Sequence, residues 1–420
     1  MLPVEYRDRI VDSLLAARLR AAAAVVIEGA RGSGKTASAR RQARSEVRFD
    51  VDSHARALAE LDPEEVIAGP EPRLLDEWQH APSVWNHVRR ACDERRRPGQ
   101  FILTGSAVPA DDATRHTGAG RISRIRLRPM TLFETGHSNG AVSLSGLLSA
   151  TKAAGPAPQV SLTDVTGVLC RGGWPANIDT STAAAQQYSR DYLDEIHRAD
   201  VDHTGGPRRD PVGMRRLLRS LARNTATEAS HATLAADAGG ERPLHRDTVR
   251  AYIDALERVF VVEDQPAWSA RLRSRSRLRR TAKRHFVDPS LAVAALRAGP
   301  ERLERDLELL GLLFESLVVR DLRVYADALD AGVYHYRDNT GLEVDAVVET
   351  AAGQWLAAEA KLGGDKAIDT AAHNLLKLRD RVDTAAVGEP ANLLVVTALG
   401  NYAYTRPDGV AVTPISALGP

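Results

Sequence analysis

Val25-Val26-Ile27-Glu28-Gly29-Ala30-Arg31-Gly32-Ser33-Gly34-Lys35-Thr36 is the stretch whose reading decides the fold of this chain. A short β-branched run turns into Gly-x-x-x-x-Gly-Lys-Thr and then into the helix-compatible residues 37–43. Phosphate recognition requires this order of parts. Glycines let the loop curl so that successive backbone N–H groups point at oxygens, and the following helix adds the positive end of its dipole. Lys35 neutralises β/γ-phosphate charge, and the Thr36 hydroxyl is a ligand for Mg²⁺. A chance match in a Gly/Ala-rich chain would lack the strand before the loop and the helix after it. The expected nucleotide contacts are therefore Gly29, Ala30, Arg31, Gly32, Ser33, Gly34, Lys35 and Thr36.

Working outward, residues 5–24 read as an amphipathic helix before the loop strand. The runs 47–51, 73–76 and 101–104 read as further buried strands, with helical stretches between them. Strands alternating with helices imply a doubly wound parallel sheet whose ligands sit at the strand C-termini. Residues 136–162, rich in Gly, Ser, Ala and Pro, read as a loop or linker.

At 420 residues the chain is longer than one core usually serves, so two or three domains are expected. Apolar content of 43% with 26% charged residues is that of an ordinary globular protein, and the net charge of +1 gives no global preference for nucleic acid. Cys92 and Cys170 are the only cysteines, which argues against a disulfide framework or a cysteine-built zinc site. The N-terminal residues lack a signal-peptide pattern, and no run approaches the roughly 20 apolar residues of a membrane span. A cytoplasmic protein is the expectation, with oligomerisation open.

Hydrolysis needs an acidic site beside the loop. Leu74-Leu75-Asp76-Glu77 supplies one at a strand end, with Asp76 for the Mg²⁺ shell and Glu77 to activate the attacking water. At the end of the next strand, Thr104 or Ser106 can hydrogen-bond the γ-phosphate or that water, or simply cap the strand.

Taken in order, these residues resemble the bacterial and archaeal AAA-type ATPases that carry a C-terminal domain of unknown function, DUF4143. The matching stretches are Gly29 to Thr36, Leu75-Asp76-Glu77-Trp78-Gln79, Leu103-Thr104-Gly105-Ser106, Gly120-Arg121, Pro129-Met130-Thr131-Leu132-Phe133-Glu134, Gly172-Gly173-Trp174-Pro175 and His285-Phe286-Val287-Asp288-Pro289. The resemblance covers roughly residues 20–385 and implies an ATPase core, a winged-helix segment and a nuclease-like C-terminal fold. It places Arg121 in a Gly-Arg motif, as a residue to stabilise γ-phosphate charge in cis or across a subunit interface; an ordinary surface arginine is the other reading. Expected boundaries are 1–162 for the P-loop ATPase domain, 163–225 for a helical segment, 226–300 for the winged helix and 301–420 for the nuclease-like domain. The DUF4143 region would span about 190–385.

Residues 231–236 and 247–258 read as two helical segments followed by strand and hairpin, the order of a winged helix whose second helix presents Arg246, Thr248 and Arg250. Between Asp264 and Asp288 there is no acid, while Arg271, Arg273, Arg275, Arg277, Arg279, Arg280, Lys283 and Arg284 fall inside that window. Such a cluster suits DNA phosphates. A solvated hairpin, or a surface that docks a protein, has the same composition. Expected DNA contacts are Arg246, Arg250, Arg273, Arg275, Arg277 and Arg279.

Further on, Asp345 on one strand and Glu359-x-Lys361 on the next resemble the PD-(D/E)xK nuclease core. Glu359 and Lys361 share a strand face, and Glu315 on the preceding helix matches an acidic position that fold often adds. Mg²⁺ held by the carboxylates, with Lys361 orienting a water, is the expected chemistry if the site is active; a fold also keeps such residues without the activity. Asp345 departs from the motif in following Val344 rather than a proline. The whole reads as an Mg²⁺-dependent ATP hydrolase acting as a molecular switch. The alternatives are a nucleotide-gated DNA-binding or DNA-cleaving protein and a nucleotide-gated regulator of a protein partner.

Overall fold

The computed structural model describes residues 6–107, 117–196, 210–240, 243–269 and 281–420. In chain order the elements begin with α1 (Ile10–Ala21), β1 (Ala24–Glu28), α2 (Lys35–Arg40), β2 (Ser45–Arg48), α3 (Ser53–Leu61), α4 (Pro63–Ile67), β3 (Arg73–Asp76), α5 (Val84–Arg95), β4 (Phe101–Gly105) and β5 (Ile122–Arg126). The described residues divide into two compact units, those within Met1–Pro129, Glu195–Arg209 and Asp254–Val261 forming one and the rest the other.

In the first unit the five strands form one parallel sheet in the order β2-β3-β4-β1-β5. Its central strands β3, β4 and β1 are buried apolar runs because both faces are covered, while the edge strands β2 and β5 are more polar and only partly buried. Val26, Leu75 and Leu103 pack with Trp78, Trp85 and Val88 on one face. Val25, Ile27, Leu74 and Ile102 face α1 through Val11, Leu15 and Leu19 on the other. The expected parallel sheet is thus present, and β1, β3 and β4 end side by side.

The chain continues with β6 (Val142–Ser143), α6 (Leu144–Leu148), β7 (Gly155–Pro156), α7 (Leu162–Arg171), α8 (Thr182–Glu195), α9 (Pro211–Arg223), α10 (His231–Ala238), α11 (Arg246–Arg258), β8 (Val262–Gln265), β9 (Lys283–Phe286), α12 (Pro289–Leu296), α13 (Pro300–Glu304) and α14 (Leu307–Ala328), all in the second unit except Glu195 and the end of α11 from Asp254. Then come β10 (Ala331–Arg337), β11 (Glu343–Thr350), β12 (Trp355–Lys361), α15 (Asp365–Arg381), α16 (Thr384–Val387), β13 (Asn392–Thr397), β14 (Tyr402–Thr405), β15 (Ala411–Pro414) and β16 (Leu418–Gly419). A seven-stranded mixed sheet runs β10-β11-β12-β13-β15-β14-β7. Its face toward α15 is apolar, with Val344, Trp355 and Ala357 packed on Ala371, Leu375 and Leu378.

Residues 136–162 correct the sequence reading of a loop: β6 pairs with β16 and β7 with β14, through two-residue strands too short to show a period. Helices α9 and α10 are linked by Ser220 Oγ donating to the Leu234 carbonyl at 3.1 Å, and β8 pairs antiparallel with β9.

Several family motifs meet in a buried ionic node of this second unit. Arg320 on α14 donates to Asp288 Oδ2 and Asp321 Oδ1, both at 2.7 Å. Asp288 also accepts the N–H of Gly173 at 2.9 Å, and Trp174 Nε1 donates to Ser290 Oγ at 3.0 Å. Asp321 Oδ2 takes the N–H of Leu132 at 3.0 Å. A Cβ on Gly173 would lie 2.0 Å from the Met130 carbonyl oxygen, so only glycine permits this approach. The motifs around 130, 173 and 288 are therefore one structural junction.

Candidate functional site

The loop after β1 is built by its glycines. A Cβ on Gly29 would stand 2.1 Å from the Leu127 carbonyl oxygen, and Gly34, the N-cap of α2, has φ of 101°, a conformation most side chains resist. Lys35 is buried and donates to the carbonyls of Gly29 at 2.9 Å and Ala30 at 3.0 Å, so its ammonium lies within the curl of the loop. Ser33 Oγ is buried and has no hydrogen-bond partner among the described residues, a polar atom that a phosphate oxygen suits.

The acidic strand end meets this loop directly. Thr36 Oγ1 donates to Asp76 Oδ1 at 2.7 Å, and Thr104 Oγ1 donates to the same oxygen at 2.5 Å while accepting the Glu77 N–H at 3.0 Å. Burial pushes the Asp76 carboxyl above its ordinary range, and the hydroxyls of Thr104 and Thr36 oppose that rise. A hydroxyl and a carboxylate in contact, from loop and strand end, form a hard oxygen donor set that fits Mg²⁺.

Glu77 has φ of 53°, left-handed and strained for a non-glycine residue. The following turn holds it there: Trp78 is buried against Trp85, ring centroids 4.9 Å apart, while Glu77 Oε2 accepts Ser106 Oγ at 3.0 Å and the Gln79 amide. Ser106 thus bonds the Glu77 carboxylate, whereas the Thr104 hydroxyl supports the acidic pair. Arg121 is engaged elsewhere: its Nε lies 2.6 Å from Asp93 Oδ1 on α5.

One residue of this site escaped sequence reasoning. Arg9, buried ahead of α1, donates to the carbonyl of Ser33 at 3.0 Å and of Arg128 at 2.9 Å. Its sequence neighbourhood gives no hint of those partners.

In the second unit Asp345, Glu359, Lys361 and Glu315 lie in one ionic cluster. Lys361 Nζ lies 2.6 Å from Glu359 Oε2 and 3.5 Å from Asp345 Oδ2, and the Ala360 N–H donates to Asp345 Oδ2 at 2.9 Å. Glu315 is reached by Lys283 at 2.7 Å. That contact corrects part of the basic-window reading: Lys283 and Arg284 are buried, Arg284 pairing with Asp264 at 2.8 Å, so neither belongs to a solvated basic surface. Arg246 and Arg250 are exposed on α11. Arg273, Arg275, Arg277 and Arg279 lie outside the described residues.

Comparison with known proteins gives three family matches: an AAA domain over residues 21–136, a domain of unknown function, DUF8612, over 162–302, and another, DUF4143, over 310–418. Uncharacterized proteins of Mycobacterium tuberculosis and Mycobacterium bovis are each 27% identical over 352 residues, spanning 82% of this chain and 71% of theirs. A solved Walker-type ATPase of Pyrococcus abyssi aligns with a TM-score of 0.42 and 13% identity, over 69% of this chain and 96% of that one. Among the described residues no helix is long and apolar enough to cross a membrane. An AAA domain ahead and DUF4143 behind match the AAA-type ATPases with a C-terminal DUF4143 domain that the sequence resembles.

Proposed function

We propose that this chain binds ATP with Mg²⁺ in the loop 29–36, hydrolyses it, and uses the nucleotide state as a molecular switch for its downstream modules. The observation that carries the reading is the hydrogen bond between Thr36 and Asp76, which joins a phosphate loop to an acidic strand end. The loop N–H groups and Lys35 bind the phosphates, and Thr36 and Asp76 hold Mg²⁺. When bound, that ion neutralises charge between the β- and γ-phosphates. Glu77, fixed by Ser106 and Gln79, accepts the proton of the attacking water. Arg121 is paired with Asp93 within the chain, so a γ-phosphate role for it belongs to the site of a neighbouring subunit.

In this reading residues 226–300 form a winged helix and 301–420 a nuclease-like fold, with nucleotide state passed to them from the end of β4. The exposed Arg246 and Arg250 support DNA as the partner of the winged helix. The test is ATP turnover by the full chain beside Lys35→Ala and Glu77→Gln, with and without DNA. Lys35→Ala should lose nucleotide binding. Glu77→Gln should keep binding and turn over about 10²–10⁴-fold more slowly. Parental turnover by both variants would overturn the proposal.

A further inference from the structure

The C-terminal carboxylates contain a cation that the nuclease resemblance does not provide for. Lys283 opens β9, and its side chain, 2% exposed, ends among three acids from two other elements. Its Nζ lies 2.7 Å from Glu315 of α14, 2.7 Å from Glu343 of β11 and 3.6 Å from Asp345 of β11. On the far side of Asp345 stands Lys361, which also pairs with Glu359. In a PD-(D/E)xK site the carboxylates at these positions converge on a divalent cation, and one lysine stands beside them. Here two ammonium groups divide the acids between them.

The residues present do not fit a metal as they stand. Glu315, Asp345 and Glu359 are each in ion-pair contact with a lysine, and among the described residues no group of three His, Cys, Asp or Glu side chains is arranged to hold an ion. The lysine is held in position. β9 is paired with β8 in register Gln265↔Lys283, and Gln265 Nε2 donates to the Asp345 carbonyl at 2.9 Å, tying the lysine's own hairpin to β11.

We infer that Lys283 is a built-in counter-ion that takes the place of a divalent cation in the Glu315–Asp345–Glu359 cluster and keeps metal out of it. The inference rests on the nuclease-like reading of this domain. The charge balance supports it. Burial, which alone would discharge the lysine, is outweighed by Glu315, Asp345 and Glu343, so its pKa moves up and it stays charged. The two ammonium groups nearly balance the ionised members of the cluster, so removing Lys283 leaves an uncompensated negative charge for a cation to meet.

The experiment compares the full chain with Lys283→Met, Lys283→Met/Asp345→Asn and Asp345→Asn, without nucleotide so that the phosphate loop does not recruit metal. Mn²⁺ binding is followed by calorimetry and by Tm, with linear duplex DNA as a separate cleavage substrate. Lys283→Met should bind Mn²⁺ and gain several degrees in Tm with it, an effect lost in the double variant. The parent and Asp345→Asn should bind Mn²⁺ equally little at this site. DNA cleavage by Lys283→Met would make the cluster a silenced nuclease; Mn²⁺ binding without cleavage supports the counter-ion and removes the nuclease activity. A parent that binds Mn²⁺ in a way abolished by Asp345→Asn overturns the inference, even where Lys283→Met fails to fold. So does a folded Lys283→Met that ignores Mn²⁺.

Discussion

Thr104 Oγ1 donates to Asp76 Oδ1 at 2.5 Å and accepts the backbone N–H of Glu77 at 3.0 Å, so one hydroxyl on β4 fixes both acids at the end of β3. It is a positioning residue, fully buried and directed at the acids. Thr104→Val keeps the shape and removes the hydroxyl. A hydrogen bond to a charged group contributes about 1.5–3 kcal/mol. We expect kcat for ATP to fall about 10–100-fold with little change in nucleotide affinity, and Thr104→Ser to recover most of it. Steady-state kinetics and a binding titration separate the two quantities. Lost affinity at unchanged kcat would contradict this role.

Arg9 ties the phosphate loop to the backbone beyond β5. Its two guanidinium bonds go to separate carbonyls, those of Ser33 and Arg128, which a lysine cannot reproduce together. Arg9→Ala should loosen the loop and weaken ATP binding about tenfold, and Arg9→Lys should restore only part of that. Titration with a fluorescent ATP analogue checks it. Equal affinity for parent and Arg9→Ala would show that the loop holds its shape alone.

The difference in legibility between these two residues is physical. The phosphate loop can be read from consecutive residues because its chemistry is local: glycines, a lysine and a hydroxyl on one turn. Asp76 and Glu77 were legible because a buried strand must end in the site it serves. Arg9 was not, since its partners at 33 and 128 are brought to it only by the folded chain. Lys283 misled for the same reason: a window of sequence with no acids reads as a solvated basic surface, yet its counter-charges come from 315, 343 and 345. The motif near 173 and the one near 288 looked like separate signatures, and only their hydrogen bond makes them one junction.

That junction sets the next expectation. Asp288 and Asp321 are both fully buried, and Arg320 neutralises them together. Breaking a buried pair by removing one partner leaves an uncompensated charge and costs about 3–5 kcal/mol. Arg320→Met should therefore destabilise the second unit by that order. Denaturant unfolding followed by circular dichroism gives the midpoint that checks it. A midpoint unchanged from the parent would show that the carboxylates find other partners.

Glu315 predicts a pH dependence of stability. Burial first, and then the Asp345 charge, push its carboxyl up to about 8, against the opposing pull of Lys283. The groups facing it are Lys283 on β9 and Glu343 and Asp345 on β11, with Lys361 on β12 beyond. An acid whose folded pKa is raised binds its proton more tightly in the folded chain. Its contribution is fully present below the unfolded value of 4.5 and is lost as pH rises toward 8. The loss is at most about 1.4 kcal/mol per pH unit. Glu315→Gln cannot ionise and still accepts a hydrogen bond from Lys283, so its stability should gain on the parent's steadily between pH 4.5 and 8 and run parallel to it above. Denaturant midpoints of both proteins across that window give the answer. A constant difference between them would mean that Lys283 keeps Glu315 ionised throughout.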